Sequence, residues 1–550
     1  MKKNKLYNTV FYCLLIIIVC IMCYFISQKE GYHEDEMFSY GSSNYKYDNV
    51  FQPYGDKDYI NETINEVIFN DGNVLHNIFH YLKNPSEFMT KLEEKKSEEK
   101  PIWKTKQDAL EYVAIQKEDI LNFFMIYYNQ SRDAHPPLFY FIVHIISIFC
   151  LNNFSKYIIF TINICLFVGC LIVIKKIFEL LEKNNLTIPT VILYGLSIGA
   201  ISTVIFQRMY MLLTFFIVYY TYINLNIIKN NFNINQSTKI KLIITIILGF
   251  LSQYYFCIYA LFIFISMQIV MLINNQKHNS VTLLLCYLKS AFIGIILFPA
   301  SIYHIFFSYR GVANIPDQYG ILDFFKILCK QYGCNLVLGI IILITITIIA
   351  ITILKRMKNF SLSILLFSVI GYFLLVSKIS PYLDLRYIMG ILPITAIIVI
   401  LTIDYICKNN NKFIYIISFI LVLFSIINLT TKSPEYLYNG YNKNIEIAQK
   451  YNNLKFVYIE DNGFNHIQSM PEFMIYNESM ILNINRDELK YLKNNEKLEN
   501  ETEFIVSIKN YLNNEDILKQ ILEITGKDNF TLLLDGNNKT GNVVYKISNK

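Results

Sequence analysis

Apolar runs, most of them in the range of roughly 17–25 residues, recur along the chain with short polar breaks between them. That is the length a helix needs to cross a hydrocarbon core. They fall at 11–26, 157–173, 188–206, 209–228, 240–251, 254–272, 281–306, 336–354, 361–376, 387–406 and 413–427. A further run at 136–151 opens with Pro136-Pro137 and is short for a span, so it reads as a re-entrant or interfacial helix. The pattern predicts a polytopic α-helical membrane protein with about eleven transmembrane helices, twelve or thirteen being the other counts. The N-terminal Lys cluster, Lys175-Lys176, the 229–241 loop, 355–358 and 408–412 all read as cytoplasmic by the positive-inside bias. Eleven crossings satisfy all of them; twelve would put the carboxyl terminus inside, against four charge clusters.

Two long polar regions interrupt this pattern. Residues 27–135 form the first extracytoplasmic loop, and apolar positions at 60–82 and 109–128 recur at helical spacing, which predicts surface helices. After 429 the hydropathy falls. Short strands are expected at 454–459, 473–475, 504–508 and 530–534, a helix at 515–524, and a turn at 535–538 into a strand at 543–547. The division is thus a membrane module over 1–429 and a small extracytoplasmic α/β domain over 430–550. The latter has no phosphate loop or nucleophile elbow, so it reads as accessory or acceptor-binding.

Composition sharpens the class. A chain of 550 residues with 54% hydrophobic content is no ordinary soluble enzyme. Its net charge of +6 is spread over short loops and speaks for membrane orientation, not for nucleic acid. The eleven cysteines lie almost entirely in apolar runs, leaving the external regions without disulfides, and no CxxC zinc pattern occurs outside the spans. The first run lacks a clear cleavage site and reads as a permanent span. The Ile, Asn and Lys bias fits an AT-rich bacterial genome and a plasma-membrane location.

The candidate chemistry begins directly after that first run, where GYHEDEMFSY (31–40) holds Glu34, Asp35 and Glu36 in a row. Carboxylates this close raise one another's pKa and attract cations, which suits a general base or a metal site; the plain alternative is a solvated juxtamembrane acid run. Five polar breaks share its side of the membrane: 133–135, 207–210, 252–255, 304–331 and 378–386. Asp133 and His135 offer a second carboxylate and a donor or ligand, or only a helix-start signal before the Pro pair. Arg208, followed by Tyr210, is an anion clamp or a snorkelling cation. His304, Arg310, Lys378, Tyr382 and Arg386 gather at external loops, and cations there run against the charge bias. Lipid head groups or a phosphate-bearing substrate would satisfy them. Gln253 is either a buried hydrogen-bonding residue or a substrate contact. A divalent metal, if one is used, has Asp35 and Asp133 as its candidate ligands.

The motifs Asp35-Glu36 after the first span, Asp133-x-His135-Pro136-Pro137-Leu138-x-Tyr140, Arg208-Met209-Tyr210 and Arg386-Tyr387 before Pro393 share an order with a known family. They resemble the family 39-like glycosyltransferases, polytopic enzymes of the GT-C fold class that include protein O-mannosyltransferases and lipid A aminoarabinose transferases. The resemblance covers roughly residues 10–400. It implies a hexosyltransferase-type reaction on the outer face, with a polyprenyl-phosphate sugar donor, an acceptor hydroxyl and inversion at the anomeric carbon. Asp35 then resembles the base, with Glu36 supporting it and Asp133 and His135 lining the site. Arg208 and Arg386 match positions suited to the donor phosphate. Many members carry a His where Gln253 stands and an Arg near Lys156, departures that point to a different sugar or acceptor or to reduced activity. The family does not uniformly need a metal. The C-terminal domain does not resemble the repeat domain of eukaryotic mannosyltransferases, so a protein acceptor is less favoured than a glycan or lipid. Two alternatives remain. A transporter or flippase of lipid-linked glycans would carry mid-bilayer charges and an internal repeat. An oligosaccharyltransferase-like enzyme using a pyrophosphate-linked donor would be favoured by a divalent cation at Asp35.

Overall fold

The computed structural model describes residues 2–46, 50–54, 63–69, 72–97, 100–308, 319–355, 360–407 and 410–549. Arg310 lies outside the described residues, as do most of 355–358 and part of 408–412. The chain divides into two compact units, Met1–Asn49 with Ala114–Leu437, and Val50–Val113 with Tyr438–Lys550.

The first unit is helical. Among its described residues eight helices are long and apolar enough to cross a membrane: Leu6–Ser27, Tyr157–Leu180, Tyr210–Lys229, Tyr255–Ile273, Lys277–Leu297, Ser361–Ile379, Met389–Ile406 and Asn411–Thr431. Two bent pairs, Asn184–Gly195 with Ile198–Ile205 (62°) and Ile321–Gln331 with Leu336–Thr352 (94°), raise the count to ten if each is one span. The eleventh expected span, 240–251, lies in helix Gln236–Ser252, whose 17 residues open with polar Gln-Ser-Thr-Lys. The 136–151 run forms helix Leu138–Ser147 and a 3-10 turn Ile148–Cys150. Ten residues at about 1.5 Å each cover roughly half the hydrocarbon thickness.

Packing follows side-chain size and polarity. Tyr210–Lys229 is the most enclosed of these helices together with Met389–Ile406, each 72% buried, so its polar residues need internal partners. Thr214, Thr221 and Asn224 bond back to the carbonyls of Tyr210, Ile217 and Tyr220 at 2.7, 2.8 and 2.9 Å. Gly371 lets Ser361–Ile379 approach Tyr255–Ile273, because a Cβ there would overlap the Phe262 ring.

The second unit is built on one sheet of order β1-β3-β2-β4-β6-β5: β1 is Lys104–Thr105, β2 Lys455–Glu460, β3 Glu478–Asn483, β4 Glu503–Lys509, β5 Asn529–Asp535 and β6 Asn542–Ser548. The pairs β2–β3 and β2–β4 are parallel and the remaining pairs antiparallel. Helix Asn514–Thr525 ends on Gly526 at φ 66°, the left-handed C-cap that glycine adopts without strain. Its buried Ile517, Leu518 and Ile521 join Val457, Ile459, Val506 and Ile547 in the core. One expected strand is corrected: 473–475 is not extended, and Phe473 ends the helical turn Met470–Phe473, which Pro471 favours by presetting φ. The strand in that region is β3, five residues further on. Its partner β1 comes from the 27–135 loop.

Inside this unit His466 is fully buried. Its Nδ1 faces Glu460 Oε1 at 3.0 Å and its Nε2 faces the Phe51 carbonyl at 2.8 Å. Both partners accept, so both ring nitrogens donate and the ring is held as imidazolium. Burial alone would lower its pKa, but Glu460 outweighs this and the net shift is upward.

Two outcomes follow from these contacts. Gly371→Val should destabilise the first unit by about 1–3 kcal/mol through overpacking, read as a lower thermal midpoint in detergent. The stability supplied by the His466 pair is fully present below the unfolded-state pKa of 6.5 and is lost as pH rises through the raised folded value. Thermal unfolding of wild type against His466→Gln should therefore converge at alkaline pH.

Candidate functional site

Helix Glu34–Asn44 positions the acid run. His33 caps it, its Nδ1 accepting from the Asp35 amide at 3.0 Å while its own amide donates to Glu36 Oε2 at 2.7 Å, a reciprocal capping box. Three acids in the first turn also suit the positive end of the helix dipole. The two central carboxylates have different surroundings. Glu36 is fully buried, taking Lys29 Nζ at 2.9 Å on Oε2 and the Gln207 amide at 2.8 Å on Oε1. Asp35, one residue earlier, points instead to a cavity and pairs with Arg386 Nη1.

This cavity has a volume of about 380 Å³. Of the residues singled out from sequence, it gathers Asp35, His135, Tyr210, Gln253, His304 and Arg386 on one wall system. Glu36, Asp133 and Arg208 are not in the lining, although Asp133 and Arg208 both contact the lining residue His135. Lys378 is exposed and Tyr382 is half-exposed, and neither lines the cavity, although the Tyr382 ring sits under the Arg386 guanidinium at 5.5 Å. Lys156 is also elsewhere, donating to the Lys29 carbonyl at 3.0 Å, and its burial pushes its pKa down.

Arg208 is 3% exposed. It donates to Tyr140 Oη at 3.1 Å, to Ser39 Oγ at 3.3 Å, and faces His135 Nε2 at 3.4 Å. A guanidinium only donates, so His135 Nε2 accepts and the ring proton sits on Nδ1. That nitrogen donates to Asp133 Oδ2 at 2.9 Å. Burial would raise the Asp133 pKa, but His135 and Arg208 outweigh it and hold the carboxyl well below its usual range. The result is a fixed chain, Asp133 to His135 to Arg208, whose middle member lines the cavity.

His304 is oriented in the same way. Its Nε2 donates to the Ser131 carbonyl at 3.0 Å, and its Nδ1 meets Tyr254 Oη at 2.9 Å, accepting from it when the ring is neutral. Burial lowers its pKa, so the neutral ring is favoured. Gln253 caps the preceding helix and accepts the Tyr254 amide at 2.6 Å.

Arg386 is 8% exposed and sandwiched between Tyr382 and Tyr387, the latter ring at 5.1 Å. Its amide donates to Asp384 Oδ1 at 2.9 Å, and Tyr436 Oη donates to the same oxygen at 2.5 Å. Burial opposes its charge, but Asp35, Tyr210 and Tyr387 outweigh that and raise its pKa. Sequence reasoning gave no role to Asp384 and Tyr436, nor to Tyr254 and Tyr255 of the lining, and named Tyr387 only as part of a motif. Asp384 had a legible signal, an Asp capping the turn that holds Arg386; the tyrosines, among 42 in the chain, had none.

Among the described residues no group of three or more His, Cys, Asp or Glu side chains is arranged to hold a metal. Asp35 and Asp133 would have to leave Arg386 and His135 to do so.

No family model matches the chain, and no curated protein matches it. Two crystal structures of ArnT from Cupriavidus metallidurans align with it. The one bound to undecaprenyl phosphate gives a TM-score of 0.44 at 9% identity, covering 75% of this chain and 87% of that one. The apo form gives 0.43 at 10% identity over the same shares. A likeness of this degree carries no weight for activity, which has to be argued from the site.

Glu36 receives an ammonium and two backbone amides and is fully buried. Glu36→Ala should cost about 3–5 kcal/mol, the penalty for leaving a buried charge unpaired, measured as a fall in thermal midpoint.

Proposed function

We propose that this chain is a GT-C-type glycosyltransferase. It moves a sugar from a polyprenyl-phosphate donor to an acceptor hydroxyl at the outer face of the plasma membrane, with inversion. The observation that carries this reading is a cavity whose lining includes both Asp35 and Arg386, paired with each other in the absence of substrate. A carboxylate and a guanidinium are the two groups such a transfer needs at opposite ends of the reacting carbon. A volume of about 380 Å³ falls within the range of small-molecule sites, about 300–1,000 Å³.

In this reading the acceptor oxygen attacks the anomeric carbon as Asp35 takes its proton. The new carbon–oxygen bond forms on the face opposite the breaking bond to the donor phosphate. The leaving phosphate keeps the electron pair, and Arg386 neutralises it, a task for which a planar fork of donors is well shaped. Before the donor arrives Arg386 holds Asp35. The donor phosphate competes for the guanidinium, so base and clamp become available together. His135, Tyr210, Gln253 and His304 line the space left for the sugar and acceptor, while Glu36, Asp133 and Arg208 hold the wall behind them. Gln253 supplies a neutral amide where many family 39-like enzymes have a His, which points to a different sugar or acceptor.

The test is turnover of a panel of radiolabelled polyprenyl-phosphate sugars by purified protein in liposomes. Asp35→Asn should lower transfer by about 10²–10⁴-fold, the usual worth of a positioned base, while donor binding persists or tightens. Donor binding absent from wild type would overturn the reading.

A further inference from the structure

Tyr436 stands at φ 64°, in the left-handed region where a bulky side chain is an outlier. Strain of this kind persists where the surroundings over-determine the residue, and it concentrates at functional sites. Here all three handles of the residue lead towards the cavity. The ring stacks on Phe206 at 4.0 Å and 13°, and Phe206 stacks in turn on the cavity residue Tyr210 at 5.7 Å. The carbonyl accepts from Lys29 Nζ at 2.5 Å, and the same ammonium holds Glu36 at 2.9 Å, in the helical turn that presents Asp35. The hydroxyl donates at 2.5 Å to Asp384 Oδ1, the oxygen that also receives the Arg386 amide.

One residue therefore joins the segment carrying Asp35 to the segment carrying Arg386. We propose that Tyr436 is a positioning residue for the transfer: with Asp384 it holds Arg386 at the donor phosphate, and with Lys29 it fixes the distance from that phosphate to Asp35. The inference rests on the reading of Arg386 as the phosphate clamp. The left-handed backbone turns the carbonyl and the phenol of the same residue towards Lys29 and Asp384. Asp384 Oδ1 takes both the Tyr436 hydroxyl and the Arg386 amide, so it fixes the backbone from which the guanidinium reaches the cavity.

The experiment is equilibrium binding of undecaprenyl phosphate and of uncharged undecaprenol to the full chain in lipid nanodiscs. Wild type is compared with Tyr436→Phe and Asp384→Asn, with thermal midpoints as the check on folding. Tyr436→Phe keeps the ring stack and the carbonyl and removes only the hydroxyl. It should weaken the phosphate lipid by about tenfold, the scale of a misplaced charge-assisted hydrogen bond, and leave the polyprenol unchanged. Asp384→Asn should reproduce the same selective loss, and carries the test if Tyr436→Phe does not fold. An equal loss for both lipids, or no loss for the phosphate lipid, overturns the inference and leaves the functional reading standing. Wild type that binds the phosphate lipid no better than the polyprenol removes both.

Discussion

The buried contact between Lys29 and Glu36 is the interaction on which the candidate site depends. Neither side chain reaches solvent, so each charge is tolerable only while the other is present. The pair accepts and donates well beyond itself. Glu36 also receives the amides of His33 and Gln207, and Lys29 also donates to the Tyr436 carbonyl. Segments separated in sequence by some four hundred residues are held together at this point. Asp35 is then aimed by default: with Glu36 turned into the protein, the preceding residue of the same helix faces the cavity.

The arrangement spreads charge in alternating order. Lys29 meets Glu36, Arg386 meets Asp35, and His135 stands between Asp133 and Arg208. Each of these cations is attached to a break between apolar helices, where hydrogen-bonding partners are available and the hydrocarbon is not. A neutral imidazole at His135 follows from the same accounting, since Asp133 can only accept from one ring nitrogen and Arg208 can only donate to the other. Chemistry that separates charge is easier in such a setting, because the dipoles are already oriented before substrate enters.

Much of this was legible from residue order. Helical spans were visible because a lipid-facing helix must be apolar for its whole length. Asp35, His135, Tyr210, Gln253, His304 and Arg386 were found because polar residues that interrupt apolar runs are costly and so stand out. The same logic also picked out Lys378, at the end of helix Ser361–Ile379, and Tyr382, neither of which lines the cavity. It also gave Glu36 a share in the chemistry that the burial of its side chain does not suggest. In the second unit the alternating and apolar strands were recognised, whereas 473–475 was misread because a short apolar run fits a helical turn as well as a strand.

Sequence by itself determined the class of protein, the approximate spans, the strands near the carboxyl terminus and the main ionisable residues of the cavity wall. These are properties of local composition, and each residue carries its own hydration cost wherever the chain goes. Tertiary structure alone decided which acid of three faces the cavity, which arginine touches it, and that Tyr436 ties the two sides together. Those depend on distances between segments remote in the chain. A hydrogen bond of 2.5 or 2.9 Å is set by how helices pack, and residue order carries no direct record of it.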